Sequence, residues 1–130
     1  MFVLLEHETA PGTAPATSGA DRAAVHWDLM IEIPSQERLA TWRLVLDPLG
    51  GAETIPAERL ADHRRVYLDY EGEISGGRGR VRRLDRGAAT VKRCAGGELQ
   101  TQLQGMHLRG RCEIVPAASG QLVVRRAAGA

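Results

Sequence analysis

Read for its hydrophobic and polar positions, the chain falls into short segments cut by proline and glycine. Within them apolar residues alternate with period two more often than they recur every three to four positions. The pattern predicts a mostly β protein, with strands at Phe2 to His7, Ala24 to Ile33, Ala40 to Leu46, Arg65 to Tyr70, Gly79 to Leu84, Ala89 to Cys94, Glu98 to Leu103, Leu108 to Val115 and Gln121 to Arg125. Helical signal is confined to Pro56 to Ala61, where Thr54 is placed to cap and Pro56 lies near the first turn, so one short helical turn is expected there. Strands spaced by about ten residues suit a closed barrel or a sandwich, either of which leaves few strand edges exposed. Leu49-Gly50-Gly51, Ser75-Gly76-Gly77 and Gly96-Gly97 supply turns in which glycine permits positive φ. Thr9 to Asp21, built of small residues, proline and glycine, reads as a mobile loop between the first two strands and not as a domain linker.

Composition narrows the class without choosing a function. With 130 residues, residues 1–130 form one domain, and 43% hydrophobic and 25% charged residues exclude a disordered polar chain, a collagen-like repeat and a coiled coil. The first apolar run, Met1 to Leu5, is stopped by Glu6 and His7. It is too short for a signal peptide or a membrane span, so a cytoplasmic protein with no membrane partner is expected. Cys94 and Cys112 lie outside any metal-ligand spacing and read as reduced thiols.

The formal net charge of +1 conceals an uneven distribution. Residues 1–63 carry four arginines against ten carboxylates, while residues 64–130 carry thirteen basic residues against six carboxylates. All but Lys92 of the basic residues are arginine, whose planar fork suits phosphate oxygens. A GC-rich genome gives the same bias, so charge leaves both readings open. Arg78, Arg80, Arg82 and Arg83 flank a glycine-rich turn and fit either a basic rim along a nucleic-acid backbone or a charged edge strand that resists aggregation.

Chemistry concentrates in Val25-His26-Trp27-Asp28-Leu29-Met30-Ile31-Glu32-Ile33. As a strand, this segment turns Trp27, Leu29, Ile31 and Ile33 to one face, a core face, and His26, Asp28, Met30 and Glu32 to the other. An imidazole and a carboxylate then stand about 6 to 7 Å apart along a rigid support. A third ligand from a neighbouring strand, for which His7 is the natural candidate, completes a two-histidine, one-carboxylate set suited to a divalent transition metal. The same spacing also suits a half-exposed polar strand face with no ligand. In the second constellation, Asp62-His63-Arg64-Arg65-Val66-Tyr67, His63 can donate a proton to a leaving oxygen or meet a phosphate as a cation, and Tyr67 offers a hydroxyl. A surface histidine and a core tyrosine give the same pattern. His107 reads as a surface residue. Phosphate-binding loops, dinucleotide fingerprints, nucleophile elbows and zinc-finger spacings do not occur. At 4% aromatic residues, base-stacking platforms are not expected.

In order along the chain stand His26-Trp27-Asp28-Leu29-Met30-Ile31-Glu32, Thr41-Trp42, Asp62-His63 with Tyr67, Asp69-Tyr70-Glu71-Gly72, Asp85-Arg86-Gly87 and Leu103-Gln104-Gly105-Met106-His107-Leu108-Arg109-Gly110-Arg111. Together they resemble the 3′-phosphoesterase domain found at the N-terminus of bacterial ligase D and in stand-alone relatives. The resemblance covers nearly the whole chain. It implies a compact antiparallel β-barrel with a metal site in a polar groove. The implied activity is a metal-dependent hydrolase that removes ribonucleosides and phosphates from 3′ ends of DNA or DNA/RNA strands, usually with manganese, although zinc accepts the same ligand set. A DNA repair ligase or polymerase is the partner this implies. Residue by residue, His7, His26 and Asp28 match metal ligands, and His63 and Tyr67 match residues that contact the phosphate and support catalysis.

Three departures qualify the resemblance. Met30 replaces a family arginine on the ligand face, a long Ala, Pro and Gly-rich loop separates His7 from His26, and Val45-Leu46-Asp47 replaces a lysine-bearing segment. Arg43 or Arg59 is the candidate to take over phosphate binding. Two other readings stay open: a catalytically weak or inactive pseudoenzyme that binds nucleic-acid ends or a repair partner, and a metal-free interaction module.

Overall fold

The computed structural model describes residues 1–8, 25–50, 54–74, 79–93, 99–116 and 122–126. The chain is all-β and antiparallel: β1 (Phe2–Glu8), β2 (Val25–Glu32), β3 (Leu39–Leu44), β4 (Thr54–His63), a 3-10 turn (Arg65–Leu68), β5 (Gly72–Glu73), β6 (Arg80–Arg93), β7 (Leu99–Gln104), β8 (Arg109–Pro116) and β9 (Leu122–Arg126). The strands form one curled sheet in the order β1-β2-β3-β4-β9-β8-β7-β6-β5. A further pairing of β1 with the first half of β6, Phe2 opposite Gly87 to Glu8 opposite Arg80, brings the sheet back to its first strand. Among the described residues no helix is long and apolar enough to cross a membrane.

Curling gives the sheet two faces with different tasks. Phe2 and Leu4 of β1, Leu29 and Ile31 of β2, Trp42 and Leu44 of β3, Ile55 and Ala57 of β4, and Leu99, Leu103, Cys112 and Ile114 of β7 and β8 pack into the inner core. Period two sends the intervening residues to the outer face. There Val3, Leu5, Met30, Leu39 and Val81 form a second apolar cluster, which the 3-10 turn covers with Leu68 and the flank of Tyr67. Both faces of β1 are therefore buried at this end, and its sequence is accordingly a continuous apolar run.

The turn over that cluster is tied by charge. Arg65 donates to Glu32, Arg86 meets Asp69 at 2.6 Å, and Arg83 lies 3.7 Å from Glu71 while its backbone N–H donates to the same carboxylate. Each pair joins the turn or the segment after it to β2 or β6.

Several elements differ from the sequence expectation. The helical turn expected at Pro56 to Ala61 is instead part of β4, and the strand expected at Arg65 to Tyr70 is instead the 3-10 turn. In β4, Ile55 and Ala57 alternate with exposed Pro56 and Glu58, so burial with period two outweighs the capping signal. In Arg65–Leu68 only Leu68 is buried, since the segment lies over the sheet and contributes no ladder. The strands expected at Gly79 to Leu84 and Ala89 to Cys94 belong to one long strand, β6, with a register shift against β1 between Leu4 and Leu5. Asp85-Arg86-Gly87 does not break it. A Cβ on Gly87 would lie 2.0 Å from the Gln104 carbonyl oxygen, so glycine there permits close approach of β7 and makes no turn. Cys112 is buried in the inner core. Cys94, the Thr9 to Asp21 loop, Arg78 and the turns at Ser75-Gly76-Gly77 and Gly96-Gly97 lie outside the described residues.

Candidate metal centre

His7 and His26 are direct cross-strand partners, and Asp28 lies two residues further along β2, opposite Leu5. Directly opposed residues share a face. Both histidines and the aspartate therefore project from the outer face, at the end of the sheet beyond the Met30 cluster. His7 Nδ1 is 3.0 Å from His26 Nε2, His26 Nε2 is 3.3 Å from Asp28 Oδ1, and His7 Nδ1 is 3.7 Å from Asp28 Oδ2. Two donors each about 2.1 Å from a shared cation are about 3.0 Å apart at right angles and about 3.4 Å apart at the tetrahedral angle. The three separations bracket those values. His7, His26 and Asp28 thus form a group whose three donors could hold a metal ion.

The local electrostatics suit a cation. Asp28 is buried, and burial alone would raise its pKa. The polar contacts and charges of His26 and then His7 outweigh that and hold the carboxyl at about 2, so it is an anion at neutral pH. Asp28 Oδ1 is buried and meets His26 Nε2 at 3.3 Å without a well-aligned hydrogen bond, so it keeps a lone pair that a cation would satisfy. Without a metal, the 3.0 Å contact between the two imidazoles needs a proton on one of the facing nitrogens. A metal replaces that proton and uses both lone pairs.

His63 and Tyr67 come together as a second group, their rings in edge contact with centroids 5.7 Å apart. His63 Nδ1 lies 2.8 Å from the Ala61 carbonyl oxygen. A carbonyl only accepts, so Nδ1 carries the proton and Nε2 remains free to take or give another. This pair stands towards the other end of β2. His63 is opposite Leu39, which is opposite Glu32, and Glu32 lies four residues from Asp28, about 13 Å along a strand. The structure does not bring these two groups into contact.

The two candidate phosphate-binding arginines part company. Arg43 is the direct cross-strand partner of Asp28, while Arg59 is the partner of Trp42. One residue of difference turns a side chain to the other face. Arg59 lies over the Trp42 ring at 5.0 Å and donates to the carbonyls of Thr41 and Leu60 and to Asp62.

Met30, expected among the polar residues of the ligand face, is on that face but 1% exposed within the outer apolar cluster. No local signal identified the 3-10 turn as its cover. The Arg65–Glu32 pairing was equally invisible, because its members are 33 residues apart. Arg80 and Arg82 are exposed, opposite Glu8 and Glu6, with Arg82 3.2 Å from Glu6. Asp85 accepts from the backbone N–H groups of Arg86, Met106, His107 and Leu108 at 2.6 to 3.0 Å. Burial opposes its ionised form, and these four donors more than offset that, keeping its pKa below the usual carboxylate value. No protein-family model matches the chain, and no curated protein matches it significantly.

Proposed function

We propose that this protein is a divalent-metal-dependent 3′-phosphoesterase that trims ribonucleosides or phosphates from the 3′ ends of DNA or DNA/RNA strands. The observation that carries the reading is the donor triangle of His7, His26 and Asp28, with separations of 3.0, 3.3 and 3.7 Å. A divalent cation held there polarises phosphoryl oxygens and stabilises charge on the departing oxygen. His63, with Nδ1 fixed on the Ala61 carbonyl, and Tyr67 beside it stand about 13 Å along the sheet from Asp28, where they can offer hydrogen bonds to a neighbouring phosphate of the bound strand. The ordered set of motifs shared with the ligase D phosphoesterase domain supports the choice of a 3′ end and of manganese. It also supports cytoplasmic work beside a repair ligase or polymerase.

A second reading, an end-binding protein that does not cleave, is favoured by Met30. Its burial under Leu68 puts a thioether where the resembled family has a guanidinium.

A gel assay with manganese on a primer ending in one 3′ ribonucleotide, beside one ending in 3′-phosphate, separates the two. Wild type is expected to trim at least one end, and His26→Ala neither. Folded, metal-loaded wild type that leaves both ends intact would support the binding-only reading.

A further inference from the structure

We infer that Arg43 is the residue that holds a non-bridging phosphate oxygen at this metal centre. The inference rests on the metal-centre reading above.

Leu5, Asp28, Arg43 and Glu58 form one cross-strand row on the outer face. The Arg43 side chain therefore rises beside Asp28. Two buried atoms in this row make no well-formed hydrogen bond: Oδ1 of Asp28, an acceptor that meets the His26 imidazole at 3.3 Å, and Nε of Arg43, a donor. Among the described residues none forms an ion pair with the Arg43 guanidinium, and Glu58 opposite it is exposed. A protein seldom buries part of a guanidinium without an anion.

The two atoms are complementary. A cation on Asp28 satisfies the acceptor, and an oxyanion bound to that cation satisfies the donor. A phosphate ester bound to a metal presents both charges in that order. Arg59 does not fit the role, because Asp62 and two backbone carbonyls already occupy its guanidinium on the Trp42 side of the sheet. A planar fork can bridge two phosphate oxygens, which a lysine at the same place cannot.

The test uses the full chain, manganese and inorganic phosphate, with Arg43→Met and Arg43→Gln beside wild type. Manganese affinity, measured calorimetrically without phosphate, should be equal in all three, since Arg43 is not a ligand. Phosphate affinity of the manganese-loaded proteins, measured by ³¹P relaxation, should fall by about tenfold or more in both variants, the scale of one hydrogen bond to an ionised group. Phosphate binding as tight as wild type in a folded variant overturns the inference and leaves the metal centre standing. Wild type that takes up no manganese overturns the metal reading and this inference with it. If Arg43→Met does not fold, Arg43→Gln decides by the same criterion.

Discussion

Asp28 is buried on the outer face of β2, with one imidazole beside each of its oxygens. Its folded pKa of about 2 lies below the value of 3.8 for a free side chain. A depressed carboxylate stabilises the fold above the unfolded pKa, and that contribution disappears as pH falls towards the folded one. The gap is worth about 2 kcal/mol. In chelator, the stability advantage of wild type over Asp28→Asn, measured by urea unfolding, should shrink by about 1.5 kcal/mol between pH 6 and pH 2.5. An advantage that does not change with pH would show that the two histidines do not hold the carboxylate as described.

At the scale of elements, what failed in the sequence reading was competition between local and tertiary signals. Thr54 and Pro56 carry helix-start chemistry, yet Ile55 and Ala57 have core positions to fill, and the segment became β4. Arg65 to Leu68 has strand-like composition, yet its charge partners and the cluster under Leu68 lie on the outer face of the sheet. Conversely, Asp85-Arg86-Gly87 and the Gly105 segment, two of the motifs that carry the resemblance, have a packing role. Asp85 is fixed by four backbone donors, and a Cβ on Gly105 would lie 2.4 Å from its Oδ2. The carboxylate cannot move aside without losing those bonds. Gly105→Ala should therefore cost about 1 to 3 kcal/mol in urea unfolding, the range for a forced overpacking. Unchanged stability would mean that the loop yields freely.

The whole molecule divides its labour between the two faces of one curled sheet. The inner face holds the main core. The outer face holds a smaller cluster capped by the 3-10 turn, with His7, His26 and Asp28 beyond one end and His63 and Tyr67 towards the other. Alternating hydrophobicity was enough to reveal an all-β chain and its metal-binding candidates. It could not reveal the about 13 Å offset along β2 between the two polar groups, because that offset depends on strand register and no residue spacing encodes it.

Three side chains from two neighbouring strands, His7, His26 and Asp28, are proposed to hold one divalent cation. Manganese titration followed by electron paramagnetic resonance tests it directly, on wild type and His26→Ala with matched thermal unfolding. One manganese per wild-type chain, lost or bound at least about tenfold more weakly in the folded variant, is the expected result for removal of one of three ligands. Equal binding by the two proteins, or none by wild type, would rule out a cation held by these three side chains.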